Sequence, residues 1–259
     1  MRTSRRVVDG SDFSVHVVSC GERHDGWSAP EEGHGNGLVL VRRGRFRVRS
    51  DGDEVSADPT MGYLTVPGRE YAFAHPAGGD VCTFIHVREP LWHAVAGDEP
   101  PRAPVAVDGR VELAHRLLLR ATADAADPVE RLVDAIAAAV RVPRSRTRAG
   151  RGRGELAARA REAIVAGAPE SADLVRLARA LGVSPSHLSR TFRAHVGMTV
   201  SGYRNRVRVS RALARIEEGE TDLAGLALAL GFADQAHLTR TVRAVLGHPP
   251  GHVRGLFSG

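Results

Sequence analysis

A chain of 259 residues carries 36 basic and 30 acidic residues for a formal net charge of +6, and every basic residue is an arginine. That length can hold two domains, each with a core of its own. Cys20 and Cys82 stand far apart with no paired spacing, which excludes a disulfide framework or a zinc ribbon; no run approaches the roughly 18–20 apolar residues of a membrane span, and a cytoplasmic protein with no membrane partner is expected.

The charge is partitioned along the chain. Residues 1–140 hold 16 arginines against 21 acidic residues, residues 141–154 hold 6 against none, and residues 155–259 hold 14 against 9. An acidic front joined to a basic back implies that only the back half meets a polyanion.

Within residues 13–88, short β-rich runs at 13–18, 38–41, 46–49 and 82–87 alternate with turns of Gly, Pro and Asp. Ser50-Asp-Gly-Asp53 predicts a hairpin between 46–49 and 54–57, because Asp-Gly suits the positive φ of a two-residue turn. Many short antiparallel strands at this spacing predict a small barrel or sandwich. The period then changes. Val111, Ala114 and Leu118 fall on one helical face, and after Asp127-Pro128 a second stripe runs through Leu132, Val133, Ile136, Ala137 and Val140. Such a helix pair either packs on the barrel or forms a dimer interface. Residues 143–154 (PRSRTRAGRGRG) have no apolar member except Ala149 and read as a linker, its arginines either solvated or drawn to phosphates in a salt-sensitive way.

The last third repeats itself. Leu174-Val-Arg-Leu-Ala-Arg-Ala-Leu-Gly182 recurs as Leu223-Ala-Gly-Leu-Ala-Leu-Ala-Leu-Gly231, and His187-Leu-Ser-Arg-Thr-Phe-Arg-Ala194 as His237-Leu-Thr-Arg-Thr-Val-Arg-Ala244. Two copies are too few for a solenoid, and each reads as helix, Gly turn, helix, the unit that lays its second helix in the major groove of DNA. The first unit, about 171–196, follows a supporting helix over 155–165. Ser171 is its expected first cap, Leu174, Leu177, Ala178 and Leu181 its inward face, and Ser184-Pro185 the start of its recognition helix. Leu188, Phe192 and Val196 should then point inward, leaving Ser186, Ser189, Arg190 and Arg193 outside. In the second unit, about 221–246, Thr221-Asp222 and Asp234 are the caps, Leu238 and Val242 point inward, and Gln235, Thr239, Arg240 and Arg243 lie outside. A continuous helix over 200–218 joins the units and would set the spacing of their insertions, which must be roughly 34 Å, one turn of B-DNA, for both to read one face.

The chemistry expected is direct readout. Arginine binds O6 and N7 of guanine together and glutamine pairs with adenine, each discriminating by about 1–3 kcal/mol. Arg190 and Arg240 occupy equivalent repeat positions and are the leading candidates, with a solvated or phosphate-facing charge as the alternative. His187 and His237 also repeat and are assigned to phosphate contact or packing.

These residues resemble a known family. Leu226-Ala-x-x-Leu-Gly231-Phe232-x-Asp-Gln-x-His-Leu238-x-Arg240, followed by Gly247-x-Pro249 and Arg254, is similar to the C-terminal signature of AraC/XylS-type bacterial transcription regulators. The resemblance implies two helix-turn-helix units on a joining helix, asymmetric double-stranded DNA sites, and base-contact positions at Ser186, Ser189 and Arg190 and at Gln235, Ala236, Thr239 and Arg240. The sequence departs from the family with small residues at Ser186 and Ala236 and with Val242 where Phe is usual, so Arg190, Gln235 and Arg240 should carry more of the reading.

The same family implies a cupin-like effector and dimerisation barrel in front. Gly62-Tyr-Leu-Thr-Val-Pro67-Gly68-Arg-Glu-Tyr71 is similar to the second cupin motif, with Tyr71 where metal-binding cupins carry His, and the histidine pair of the first motif is missing. Cys82, Phe84 and His86 share one strand face, as do His16 and Cys20, yet these spacings form no recognised metal site. Trp27, Tyr71, Phe73 and Phe84 are the expected pocket aromatics, each with core packing as its alternative.

Together these readings predict an α+β chain of two domains: a cupin-like barrel with a helix pair over 1–142, the linker over 143–154, and an all-α DNA-binding domain over 155–259. A one-component regulator is expected, with no catalytic residues, no metal and no cofactor beyond an effector of unknown identity. DNA, a small-molecule effector, a second copy of the chain and RNA polymerase are the expected partners. A cupin-type oxygenase and an architectural nucleic-acid binder are the competing readings.

Overall fold

The computed structural model describes residues 2–89, 91–96, 104–120 and 151–258, and it divides into two units, residues 1–142 with 252–259 and residues 143–251. The described residues of the first unit include ten strands: β1 (Arg2–Asp9), β2 (Phe13–Cys20), β3 (Glu31–Glu32), β4 (Gly37–Arg43), β5 (Phe46–Ser50), β6 (Asp53–Ala57), β7 (Met61–Thr65), β8 (Glu70–Ala74), β9 (Asp80–Val87) and β10 (Val105–Ala106). They form a six-stranded sheet in the order β1-β2-β9-β4-β7-β10 and a four-stranded sheet in the order β3-β8-β5-β6. Every strand pairing among the described residues is antiparallel. Val39, Tyr63 and Cys82 of the larger sheet share a core with Phe46, Val48 and Tyr71 of the smaller. Two such sheets closing on a common interior make a double-sheet barrel of the jelly-roll kind.

β4 explains why its sequence is apolar without alternation. Leu38 and Leu40 face a core that includes Trp92, Val111 and Leu118, while Val39 and Val41 face the barrel interior. A strand buried on both faces has no polar side to display. The predicted hairpin forms as β5–β6, with Ser50 paired to Asp53 and both Asp51 (φ 49°) and Gly52 (φ 81°) in the left-handed region. β1 was not legible. Its Arg-Thr-Ser-Arg-Arg run is exposed, and among the described residues it pairs only with β2, so it needs no apolar face; charges along an edge also discourage pairing with other chains.

Helices α1 (Leu91–Ala96) and α2 (Gly109–Leu118) follow. Asp108 caps α2 by accepting hydrogen bonds from the N–H groups of Arg110 and Val111. Val111 and Leu118 enter the core beneath the larger sheet and Ala114 packs against it, so this helix packs on the barrel. The stripe from Leu132 to Val140 lies outside the described residues.

The second unit contains α3 (Arg151–Ala166), a 3₁₀ turn at Pro169–Ala172, α4 (Leu174–Ala180), α5 (Pro185–Val196), α6 (Val200–Glu217), α7 (Leu223–Ala229) and α8 (Gln235–Leu246), and α9 (Pro250–Ser258) comes last in the chain. Two boundaries differ from expectation. Residues 151–154, assigned by composition to the linker, are the first turn of α3, because extending a helix already anchored by Leu156, Ala160 and Ile164 needs no new nucleus. Residues 143–150 lie outside the described residues. The cap of α4 is Asp173, which accepts from the N–H of Arg176; Ser171 sits in the 3₁₀ turn set by Pro169 and turns its hydroxyl back to the carbonyl of Ala168.

Candidate nucleic-acid interface and ligand cavity

The two second helices are built alike from the backbone upward. Ser184 and Asp234 hold extended backbone and accept from the N–H groups of His187 and His237, which fixes where α5 and α8 begin. Gly197 (φ 81°) and Gly247 (φ 83°) end them in the left-handed conformation that only glycine enters without strain. Leu188 and Phe192 of α5 and Leu238 and Val242 of α8 are fully buried, and Val196 is half-buried. The smaller Val242 is enclosed as completely as Phe192.

The outward sets are the predicted ones. Ser186, Arg190 and Arg193 on α5 and Gln235, Ala236, Arg240 and Arg243 on α8 are exposed, while Ser189 and Thr239 are half-buried beside them. Among the described residues, Arg190, Arg193, Arg240 and Arg243 make no side-chain hydrogen bond or ion pair. His237 is held inside its own unit: its Nδ1 accepts from the N–H of Ala233 at 3.4 Å and its ring stands edge-on to Phe232 at 5.2 Å. His187 is half-buried.

The arginines of α6 have a different use. Arg204 donates to the carbonyl of Ser171 at 2.7 Å and Arg211 to that of Val165 at 2.9 Å, while Arg208 lies over the Phe232 ring at 5.7 Å. Burial and neighbouring guanidinium groups lower the pKa of Arg204 and Arg208 from the usual arginine value. Three cations of the joining helix thus tie it to α3, to the 3₁₀ turn that follows α3 and to the turn of the second unit. Composition could not distinguish them from phosphate-binding arginines.

The barrel encloses a cavity of about 460 Å³ between its sheets. Tyr71, Phe73 and Phe84 line it as expected, and Phe46 and Tyr63, which sequence reasoning did not select, complete the aromatic wall. Trp27 is placed elsewhere. Its ring lies under the guanidinium groups of Arg47 and Arg49, 5.0 and 4.7 Å from the centroid, and does not line the cavity, although His24 and Ser28 on either side of it do. The hydroxyl of Tyr71 is engaged by backbone, donating to the carbonyl of Leu64 and accepting from the N–H of Val66. Burial raises the pKa of both Tyr63 and Tyr71, so both phenols stay protonated. His16 lines the cavity while His86 does not, and burial lowers the pKa of each.

Residues 177–255 match the helix-turn-helix domain family. The chain is 30% identical over 82 residues to the HTH-type transcriptional regulator GlxA of Rhizobium meliloti, covering 32% of this chain and 25% of that protein. It is 36% identical over 78 residues to a Streptomyces lividans protein described as an AraC-like transcription regulator, covering 30% and 26%. The chain therefore spans about a quarter of the length of these relatives. Among solved structures, ToxT from Vibrio cholerae aligns over 96% of this chain and 100% of its own, at 10% identity and a TM-score of 0.38. Among the described residues no helix is long and apolar enough to cross a membrane.

Proposed function

We propose that this chain, whose C-terminal part is a DNA-binding domain of the AraC type, is a one-component transcription regulator that reads a two-part DNA site and answers to a small molecule held in its barrel. The observation that carries the reading is the pair of recognition helices, capped, ended and buried alike, each presenting two unpartnered guanidinium groups to solvent. Free arginine at an exposed helix face suits guanine and phosphate, whereas arginine already bonded to carbonyls, as in α6, does not. Arg190, Gln235 and Arg240 are assigned to base edges; Ser186, Ser189, Arg193, Thr239 and Arg243 border the same faces. His237, engaged with Ala233 and Phe232, is assigned to packing, and His187 to packing or a phosphate.

The front unit, residues 1–142, is assigned to effector binding and to pairing with a second copy of the chain. Its cavity, walled by aromatics, supports a largely apolar ligand. The reading is of a binding protein in the cytoplasm and assigns no reaction to either unit.

Selection of sheared genomic DNA on the full-length protein at near-physiological salt tests this. Enrichment of a motif whose two parts lie about one helical turn apart is expected. Residues 151–259 alone should select the same motif. Uniform, salt-labile recovery by both would instead identify an architectural binder.

A further inference from the structure

One end of the cavity differs from its aromatic wall. β2 ends at Cys20 and β9 begins at Asp80, and the two are paired in register. His75, just after β8, forms an isolated bridge with His24. As a result Cys20 Sγ, a ring nitrogen of His75 and a carboxylate oxygen of Asp80 all lie within 4.8 Å of one another. Asp80 is only 5% exposed and His75 only 8%.

The hydrogen bonds fix where the lone pairs are. Nδ1 of His24 lies 2.9 Å from the carbonyl oxygen of Gly26, which can only accept, so that nitrogen carries the hydrogen. A neutral His24 then offers the lone pair of Nε2 to Nδ1 of His75 at 2.9 Å, which makes Nδ1 the donor of His75. The lone pair of a neutral His75 is therefore on Nε2, and Nε2 lies 3.0 Å from Oδ1 of Asp80. Asp80 Oδ2 accepts the thiol of Cys82 at 2.9 Å, while Oδ1 is buried with no hydrogen bond directed to it among the described residues. Two lone pairs facing each other, the oxygen buried with no hydrogen bond directed to it among the described residues, call for a cation. A proton on Nε2 would serve these two atoms alone; a metal ion would also use the sulfur of Cys20.

We propose that Cys20, His75 and Asp80 bind a divalent transition-metal ion of borderline softness, with zinc as the reference, and leave a fourth position open toward the cavity. Sulfur, imidazole nitrogen and carboxylate oxygen suit such an ion, whereas magnesium and calcium favour oxygen alone. Tetrahedral bonds of about 2.0–2.3 Å set neighbouring donors roughly 3.5 Å apart, so small side-chain rotations close the site. His24 holds His75 through Nδ1 and Cys82 holds Asp80 through Oδ2, the arrangement that orients ligands at metal centres. No single segment reveals the site, because its ligands come from β2, the stretch after β8 and the start of β9. It deepens the effector reading, on which its regulatory meaning rests, by giving the cavity an electrophilic end. Binding of the ion is measured without DNA, so failure here and failure of the regulator reading are told apart.

Metal-stripped full-length protein is titrated with Zn²⁺ by calorimetry and with Co²⁺ by absorbance. One equivalent of Zn²⁺ and a thiolate-to-cobalt charge-transfer band are expected, with thermal stability rising as Zn²⁺ is added. Cys20→Ser should abolish the band. Asp80→Asn, His75→Ala and Cys20→Ser should each weaken Zn²⁺ binding, and His24→Gln should weaken it about 10–100-fold. Circular dichroism identifies the variants that remain folded, and Asp80→Asn conserves the shape of the buried side chain. No stoichiometric uptake by the wild type overturns the proposal. So does uptake that folded Cys20→Ser and Asp80→Asn leave unchanged, or a band that survives Cys20→Ser and disappears in Cys82→Ser.

Discussion

Arg190 and Arg240 stand at matching positions of two helices, exposed and without a side-chain partner among the described residues. Each is predicted to read a guanine in a different part of the site. Arg190→Ala and Arg240→Ala should each relax preference at one position by about 1–3 kcal/mol, with the rest of the motif retained, when the selection is repeated on the variants. Unchanged preference in both would refute the assignment. His115 shows the opposite use of a polar residue. It is enclosed under the barrel, and burial, reinforced by Arg116 and Arg42 and opposed by Glu112, pushes its pKa down to about 3. A base whose folded pKa lies below its unfolded value binds fewer protons folded than unfolded, so its contribution is lost as pH falls from about 6.5 toward 3. Denaturant midpoints should decline over that window, and less steeply in His115→Leu, which has nothing to protonate.

At the scale of the element, the recognition helices owe their position to their ends. Asp234 accepts from the N–H of His237 at 2.6 Å, and Gly247 adopts a φ of 83°. Asp234→Ala should cost about 1 kcal/mol and Gly247→Ala about 1–2 kcal/mol, read as lowered midpoints in thermal or chemical unfolding. The N-terminal cap of α8 was legible because its signal is local: a short acceptor just before an apolar period. Ser171 misled for the same reason. It is a good capping residue, yet Pro169 starts a 3₁₀ turn that consumes it, and Asp173 takes the role. β1 carried no signal, since an exposed edge strand is specified by its partner rather than by its own alternation.

At the scale of the molecule, charge and chemistry divide together. The acidic front half forms the barrel with its cavity, and the basic back half carries the paired helices with unpartnered arginines. Arg204 and Arg211 direct donors to carbonyl groups and Arg208 lies over an aromatic ring, so these side chains are held in place while keeping their charge. The arginines of α5 and α8 carry the same charge on side chains with no partner among the described residues.

By itself the sequence determined the two-part architecture, the tandem helix-turn-helix units and the residues on their outer faces. Each of these follows from short-range periodicity, from caps a few residues away, or from direct comparison of one repeat with the other. Only the tertiary structure decided the cavity. It replaced Trp27 with Phe46 and Tyr63 in the wall, and it brought Cys20, His75 and Asp80 within 4.8 Å. Strand register and the facing of two sheets create those neighbours, and residues far apart in the chain carry no local mark of the partner they will meet.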